Sequence, residues 1–437
     1  MNSKNLPKRI IGKNLTVSAD ERALSNLNTL IIGSTGAGKT RGYVSPNISA
    51  AESESMIVLD SKLNLYNKHK DELERKGYQV ELIDLCNLPG STIGYNPTDF
   101  LRMGKNGSPK HDDVAELAGM LCSKDFQDGK DPFWHTAATE YITACIHLCL
   151  HILPTEEHTL SYVNKILKLI ERPEWNALIE VAESSDPDCF EVEFNKTIAS
   201  TRVAEKMLAS IIGVAQSAMS LYTWDECEEL YSREKRINFT DLGERKTTVF
   251  VNVPDHDFGK SQIVSLFFSQ AVKALLDHAD SQPGSRLKVP VHLYADDIGA
   301  SFCIPHLPEL LSITRSRGLS LSLILQNWGQ LEAAYGPHQA STIAGNCSTI
   351  VYLSSTDIET PRWFSEKTNM PVERILVMHM DTELVCLQGQ KPFFAKKHNA
   401  DDYRPVAFVD EPCLEPITGL ERETNDERSD NDGKEAS

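Results

Sequence analysis

The fold of this chain is decided by the stretch Gly33-Ser34-Thr35-Gly36-Ala37-Gly38-Lys39-Thr40, which matches the phosphate-binding loop pattern of a glycine, any four residues and Gly-Lys-Thr. The apolar run Asn28–Ile32 predicts a strand that leads into the loop, and a helix can begin at Thr40. Glycines let the backbone curl until successive N–H groups face a phosphate, and the helix N-terminus adds the positive end of its dipole. The stretch therefore predicts a nucleoside triphosphate site.

The loop also assigns roles to single residues. Lys39 is expected to reach the outer phosphates of ATP, and the Thr40 hydroxyl is expected to bind Mg²⁺. The residues predicted to contact the nucleotide are Gly33, Ser34, Thr35, Gly36, Ala37, Gly38, Lys39, Thr40 and Arg41. The alternative interpretation is a glycine turn that ends in Gly-Lys-Thr by chance.

A partner carboxylate for the metal is found at the end of a second apolar run. The segment Val291–Ala295 reads as a strand, and Asp296 and Asp297 follow it directly. Asp296 is predicted to hold Mg²⁺, and Asp297 lies where many related ATPases place a glutamate that orients the attacking water. The alternative is that the two aspartates only cap the strand.

Two further polar residues follow in the same half of the chain. Arg315 lies in the segment Thr314–Gly318, predicted as a surface turn between a helix at 307–313 and a strand at 319–325. Arginines in such turns are usually solvated, but in a ring ATPase one can reach the γ-phosphate of the neighbouring subunit. Gln326 ends the strand, and the carboxyl ends of parallel strands face the ligand crevice. The predicted catalytic residues are thus Lys39, Asp296, Asp297, Arg315 and Gln326.

Composition limits the classes of function. The 437 residues have room for two or three domains, and the formal net charge is −18. Residues 410–437 carry a net −7 and read as a disordered acidic tail, which leaves about −11 on the rest of the chain. A bulk basic surface for nucleic acid is excluded, so any DNA contact must be focused, for example in a pore.

The sequence shows no pattern that favours export, membrane insertion or a metal site of cysteine and histidine. The N-terminus has no signal-peptide core, and no run of about 18 apolar residues predicts a membrane span. The ten cysteines include no Cys-x-x-Cys pair and are expected to be reduced. Cys145, His147, Cys149 and His151 form two i,i+4 pairs on different faces of one predicted helix, which favours ordinary helix packing over a metal site.

The order of strand-like and helix-like segments predicts an α/β fold with a mainly parallel sheet and an inserted all-α domain. The predicted domains are residues 1–104 and 243–409 for the two parts of the nucleotide-binding domain, 105–242 for the insertion, and 410–437 for the tail. The predicted strands are 28–32, 56–60, 79–84, 247–253, 289–295, 319–325, 349–353 and 383–387. The predicted helices are 71–77, 112–122, 133–153, 159–171, 196–221, 225–233, 262–278 and 307–313.

Motifs throughout the chain resemble one family, the coupling proteins of type IV secretion, which are conjugative DNA-transfer ATPases. The loop and the helix after it, as far as Asn47, look like the family's, and Asp60–Tyr66 is similar to its second-strand motif. The resemblance is most specific in the region 296–357, and further matching landmarks lie before it. The matching landmarks are Asn96-Pro97, Asp131–Trp134, Thr247–Phe250, Val253–Asp255, Pro308–Leu311, Arg315–Gly318, Leu325-Gln326, Gln330-Leu331, Tyr335-Gly336, Gly345-Asn346 and Thr356-Asp357.

The resemblance implies a RecA-like P-loop motor domain with an all-helical domain, working as a homohexameric ring on ATP and Mg²⁺. It implies relaxase–DNA complexes or secreted proteins as substrates, single-stranded DNA in the ring pore, and other type IV secretion components as partners. By matching position, Lys39, Thr40 and Asp296 hold the nucleotide and metal, Arg315 acts in trans, and Gln326 senses the phosphate.

The chain departs from the family in two ways. Family members usually carry N-terminal transmembrane helices, so this chain is expected to be either a soluble fragment or a natural short form that docks onto a membrane partner. It is expected at the inner face of the cytoplasmic membrane and as a monomer in isolation. Asp297 stands where the family has glutamate, and a positioning error of about 1 Å can cost on the order of 10² in rate, so turnover is expected to be slow. The alternatives to a motor are a nucleotide-binding docking module and a septal-type DNA translocase.

Overall fold

The computed structural model describes residues 6–18, 26–104, 107–122, 132–198, 205–253, 260–300 and 302–398. The acidic tail predicted at 410–437 lies outside the described residues, as do the landmark residues Asp131 and Asp255. Among the described residues, no helix is both long enough and apolar enough to cross a bilayer.

The described residues form eleven strands. They are β1 Lys8–Gly12, β2 Leu15–Ser18, β3 Thr29–Gly33, β4 Ser55–Asp60, β5 Gln79–Asp84, β6 Thr247–Asn252, β7 Val291–Asp296, β8 Leu319–Leu325, β9 Thr349–Ser354, β10 Thr382–Leu387 and β11 Phe393–Lys396. Eight of the eleven strands, β3 to β10, lie close to the predicted positions.

Nine of these strands form one sheet in the order β11-β10-β9-β3-β8-β7-β4-β6-β5. Strands β3 to β9 all run parallel, and β10 lies antiparallel between β9 and β11. Every residue of β3, β4, β6 and β8 is buried, which explains why these strands are apolar runs and not alternating patterns. The structure confirms the predicted α/β fold with a mainly parallel sheet.

Helices cover both faces of the sheet and build a separate block. They are α1 Ser45–Ala50, α2 Asn64–Arg75, α3 His111–Cys122, α4 Pro132–Ile152, α5 Leu160–Leu167, α6 Pro173–Ser185, α7 Phe190–Ile198, α8 Glu205–Ser220, α9 Asp225–Tyr231, α10 Phe239–Glu244, α11 Ser261–Ser281, α12 Leu307–Arg317, α13 Trp328–Tyr335, α14 Pro337–Gly345, α15 Glu359–Thr368 and α16 Val372–Leu376. The helix predicted over 196–221 is seen as the end of α7 and as α8, and residues 199–204 between them lie outside the description.

The helical block, α3 to α9, is organised around α4. This helix packs against α3, α5, α6, α7 and α8, and its central residues are buried on nearly all sides, as a helix that is apolar all round requires. The apolar interior of the block is continuous with the core on one face of the sheet. Asp113 of α3 adds a polar link, because its carboxylate accepts hydrogen bonds from Arg102 and from Lys273 of α11.

Sequence patterns did not predict the β1–β2 hairpin or β11. The hairpin is tied to the helix after the phosphate loop, since the side chain of Asn47 bonds both the N–H and the carbonyl of Ile10 at 2.8 Å. Beneath it the guanidinium of Arg9 makes two hydrogen bonds to the carboxylate of Glu54, at 2.6 and 2.7 Å, and both side chains are buried. These contacts hold the β1–β2 hairpin against α1 and against Glu54, which directly precedes β4.

Candidate nucleotide-binding site

The loop connects β3, which lies between β8 and β9 inside the sheet, to a helical segment. Gly36 has φ 81° and Gly38 has φ 99°, and these left-handed conformations suit glycine. Residues Lys39–Val44 form a π-helical turn that continues into α1, with the N–H of Ser45 donating to the Thr40 carbonyl. The predicted strand, loop and helix are all present, and the wide turn is of a kind often found at functional sites.

Close packing explains the first glycine of the loop. A Cβ atom on Gly33 would lie 2.9 Å from the Cβ of Leu353, closer than real Cβ atoms come, and 3.0 Å from that of Ala37, which is a very tight contact. The N–H of Ser34 donates to the Ser354 carbonyl of β9 at 2.9 Å. The base of the loop is therefore fixed against the neighbouring strand.

Lys39 lies at the centre of the loop. Its ammonium donates to the carbonyls of Gly33, at 2.7 Å, and Ser34, at 3.3 Å. Thr35, Gly36, Thr40 and Arg41 are exposed on the same segment. The loop thus presents a cation, a hydroxyl and a curved backbone toward the open side of the sheet.

The acidic pair lies at the carboxyl end of β7. Asp296 is its last residue, and Asp297 has φ 55°, a left-handed conformation that turns the chain sharply after the strand. The Asp297 N–H donates to the Asp296 carboxylate at 3.1 Å. Burial raises the pKa of Asp296 to about 7, with a further increase from the Asp297 charge and an opposing effect of Lys39. The ammonium of Lys39 is therefore close enough to act on this carboxyl group.

Gln326 joins the two halves of the site. Its side-chain N–H donates to Asp297 Oδ1 at 3.1 Å, and its carbonyl accepts a long contact of 3.5 Å from the Thr35 hydroxyl. Its own backbone N–H is held at 2.9 Å by the side chain of Gln330 in α13. One amide thus connects the loop after β3, the end of β8 and the turn after β7.

The structure corrects the prediction for Arg315. This residue is in the last turn of α12, not in a loop after it, because the helix continues to Arg317 and ends at Gly318, which has φ 79°. The end of α12 leads into the amino end of β8, whereas Gln326 follows its carboxyl end, and a strand of this length spans roughly 20 Å. Arg315 is exposed and lies at the opposite end of the sheet from the other predicted residues. It does not belong to the site of its own chain.

Two further residues, Lys397 and Asp60, lie near the site, and only Lys397 has no distinguishing pattern in the sequence. Lys397, just past β11, donates to the Ala37 carbonyl of the loop at 2.9 Å, and burial lowers the pKa of its ammonium to about 8. Asp60 ends β4 and accepts the N–H groups of Leu65 and Tyr66, so it caps α2, and its charge also raises the pKa of Asp296. A single lysine after an edge strand has no distinguishing pattern, whereas Asp60 ends the predicted buried strand 56–60 and begins the Asp60–Tyr66 motif.

The donor set is suited to a magnesium nucleotide. The loop supplies backbone N–H groups and a lysine for phosphate oxygens, Thr40 supplies a hydroxyl, and Asp296 supplies a carboxylate. All of them lie at the carboxyl ends of neighbouring parallel strands, where ligands bind in α/β sheets.

Comparisons with known proteins agree with this architecture. The family model for conjugative DNA transfer by type IV secretory systems matches residues 2–371. The conjugal transfer protein TraG of Rhizobium radiobacter is 22% identical over 349 residues, which cover 77% of this chain and 51% of TraG. The chain spans about half the length of the curated relatives it matches.

Solved structures with the same fold include the plasmid coupling protein TrwB. TrwB in complex with ADP and Mg²⁺ has a TM-score of 0.63 and 14% identity, with coverage of 90% of this chain and 94% of TrwB. TrwB in complex with the non-hydrolysable ATP analogue ADPNP has a TM-score of 0.61 and 13% identity, with coverage of 85% and 84%. At this identity the likeness shows the RecA-like P-loop fold alone. With the family model matching most of its length, this chain belongs to the conjugative DNA-transfer family of type IV secretory systems.

Proposed function

We propose that this chain is the nucleotide-driven part of a coupling protein. It binds ATP with Mg²⁺, hydrolyses it, and uses the cycle to deliver relaxase–DNA complexes or protein substrates to a type IV secretion channel. The observation that supports this most is the contact path from Thr35 through Gln326 to Asp297, because it connects the phosphate loop with the carboxylate turn. Family membership and the nucleotide complexes of TrwB agree with it.

The proposal gives each polar group of the site a role. Lys39 binds the outer phosphates, Thr40 and Asp296 hold Mg²⁺, and Asp297 orients the attacking water. When bound, Mg²⁺ supplies charge neutralisation at the phosphates. Gln326 donates one side-chain N–H to a γ-phosphate oxygen, while its bond to Asp297 couples the two groups. Burial raises the pKa of Asp296 to about 7, so its carboxyl group is partly protonated at neutral pH, and the charge of Mg²⁺ would shift it to the ionised carboxylate.

Arg315 has a role only across a subunit boundary in this proposal. Since it lies at the amino end of the sheet, it can serve a neighbour's site in a homohexamer, and single-stranded DNA passes through the central pore. The chain works at the inner face of the cytoplasmic membrane with other secretion components and a membrane partner.

Cargo selection is assigned to the parts outside the sheet. Residues 105–242 are proposed as the substrate-recognising domain, because this block offers the largest surface that the nucleotide site does not use. The segment 410–437, with its net −7, is proposed to bind basic partners at low salt. Residues 1–104 and 243–409 form the motor domain.

A docking module without rapid turnover is the second candidate. Asp297 favours it, because its carboxylate is shorter than glutamate and one of its oxygens is already bonded to Gln326. In that case nucleotide changes the conformation of the chain, and recruitment of cargo needs binding but not hydrolysis.

Steady-state ATP hydrolysis, measured with and without single-stranded DNA over a range of protein concentrations, separates the two candidates. A motor gives turnover that rises with DNA and with concentration, and Lys39→Ala abolishes it. A docking module binds nucleotide with the same dependence on Lys39 but hydrolyses it no faster with DNA. A folded chain that binds no nucleotide would exclude both.

A further inference from the structure

A second polar cluster lies far from the sheet, inside the helical block. His151 ends the buried helix α4, Cys189 directly precedes α7, and Glu191 lies in the first turn of α7. One ligand atom from each of these residues, a ring nitrogen, the sulfur and a carboxylate oxygen, can be chosen so that all three lie within 4.8 Å of one another. These are the donor types that bind zinc in proteins.

The histidine is held in a suitable orientation. Its Nδ1 is 2.6 Å from Glu191 Oε1, and its Nε2 is 3.1 Å from the hydroxyl of Ser185 at the end of α6. In the metal-free chain Nδ1 donates its proton to the Glu191 carboxylate, so a metal on Nδ1 replaces that proton. The Ser185 hydroxyl then accepts from Nε2–H, which is the usual hydrogen bond on the far nitrogen of a metal-binding histidine. Only a small movement is needed, since nitrogen and oxygen ligands on tetrahedral zinc lie about 3.3 Å apart.

An ion pair between His151 and Glu191 does not by itself account for all three groups of this cluster. The Glu191 side chain is 2% exposed, and the thiol of Cys189 lies beside it, where burial raises the pKa of the thiol to about 11. Glu191 accepts from His151 and is also hydrogen-bonded with the Cys189 thiol, so the carboxylate contacts both other donors of the cluster. A divalent cation uses all three donors, and the thiol loses its proton on binding.

Two further histidines, His147 and His111, lie near the cluster. His147 lies one helical turn before His151, and burial lowers its pKa to about 4, so its ring is neutral at physiological pH. Its Nε2 is 3.3 Å from Nδ1 of His111, and Phe190 packs against both rings with centroid distances of 4.5 and 5.0 Å. Cys145 and Cys149, on the other face of α4, are buried in the core and take no part.

We propose that His151, Cys189 and Glu191 form a zinc site that joins α4 to the segment between α6 and α7. The fourth position is open to water, because the His151 side chain is 18% exposed. Closing a link between residues 40 positions apart restricts the unfolded chain, so the metal stabilises the helical block. This site is independent of nucleotide binding.

Cobalt titration of the full, metal-depleted and reduced chain tests the proposal. One Co²⁺ per chain is expected, with the near-ultraviolet absorption of a thiolate-to-cobalt bond, which the carboxylate-based magnesium site cannot produce. Zn²⁺ is expected to displace the Co²⁺ and to raise the melting temperature. Cys189→Ser is expected to remove the absorption band and to weaken binding about tenfold or more.

Matched variants keep the test decisive. Cys386→Ser changes a half-buried cysteine of β10, and His379→Ala changes an exposed histidine that is 2.5 Å from a carboxylate of Asp381. Both are expected to bind Co²⁺ like wild type, whereas His151→Ala and the isosteric Glu191→Gln are expected to bind weakly. If Cys189→Ser does not fold, Glu191→Gln carries the test. Binding below about a tenth of an equivalent, or a band that survives Cys189→Ser and Glu191→Gln, would overturn the proposal.

Discussion

The nucleotide site and the His151–Cys189–Glu191 cluster are built in opposite ways. Each part of the nucleotide site follows the carboxyl end of a parallel strand, so the sheet order alone brings residues 33–40, 296–297 and 326 together. The cluster depends instead on how α4, α6 and α7 pack, and only one of its residues was noticed in the sequence. A parallel sheet collects functional residues at one edge whatever their distance in sequence, whereas a helical block brings them together only through packing.

The largest effect is expected at Arg315. Arg315→Ala is expected to reduce turnover by about 10³ or more while nucleotide affinity stays within about twofold, because the residue is remote from its own site. Arg317→Ala is the matched control, since Arg317 is in the same helical turn and donates to the Asp280 carboxylate at 3.0 Å. Turnover of both variants and binding of a fluorescent nucleotide provide the measurement.

Mixing experiments test the subunit boundary itself. Arg315→Ala and Lys39→Ala chains, each inactive alone, are expected to recover some turnover together, because one complete interface can form. Absence of recovery at every ratio, with co-assembly demonstrated, would argue against a finger in trans.

Lys39→Ala is expected to weaken ATP binding by about 100-fold or more, because charge-assisted bonds to phosphate are lost from a partly exposed loop and not from the core. Its melting temperature and its Co²⁺ binding should equal those of wild type, which sharpens the distinction between the two sites. Lys288→Ala, at a side chain that is 73% exposed, is the control. Calorimetric titration with ATP gives the affinity, and an unchanged value in a folded variant would remove the loop assignment.

Asp297→Asn is expected to lower turnover by about 10- to 100-fold with little change in affinity, because an amide orients the attacking water less well. Asp297→Glu should keep or raise turnover, since it restores the missing methylene. Single-turnover hydrolysis separates this step from product release. Equal rates for the three forms would mean that Asp297 only turns the chain after β7.

Lys397→Met is expected to have the smallest effect. It removes the hydrogen bond to the Ala37 carbonyl and keeps the apolar stem, which should weaken nucleotide binding about three- to tenfold. The adjacent Lys396→Met is the control, because that ammonium lies in solvent and pairs with Asp381. An affinity equal to that of the control would show that the loop needs no support from behind.

The sequence predicted the sheet well because its strands are apolar runs of uniform burial. Residues 79–84 and 319–325 have the predicted bounds, and the loop and acidic pair follow their strands as expected. Such segments can be predicted from the local sequence alone, since a buried parallel strand must be apolar throughout. The central helix α4 was found for the same reason.

The features that could not be predicted from the sequence depend on tertiary contacts. The sequence predicts a turn at Arg315, whereas the helix continues to Arg317 because Gly318 is its left-handed cap. Lys397 reaches the loop only because β10 returns antiparallel and places β11 beside the hairpin, where the Lys13 N–H meets the Lys396 carbonyl. The contact between His151 and Glu191, which are 40 residues apart in sequence, requires that α4 packs against α7. No local pattern encodes these distances.

The placement of the phosphate loop and Arg315 at opposite ends of the sheet has a consequence for assembly. Subunits that meet with the carboxyl ends of one sheet against the amino end of the next contact each other head to tail, and such contacts close into rings with a defined sense of rotation. Each subunit would then complete the site on one side and have its own site completed from the other. Coupling between neighbouring sites would then have one direction around the ring. The direction of a single strand, β8, would thus set the order in which the sites hydrolyse nucleotide.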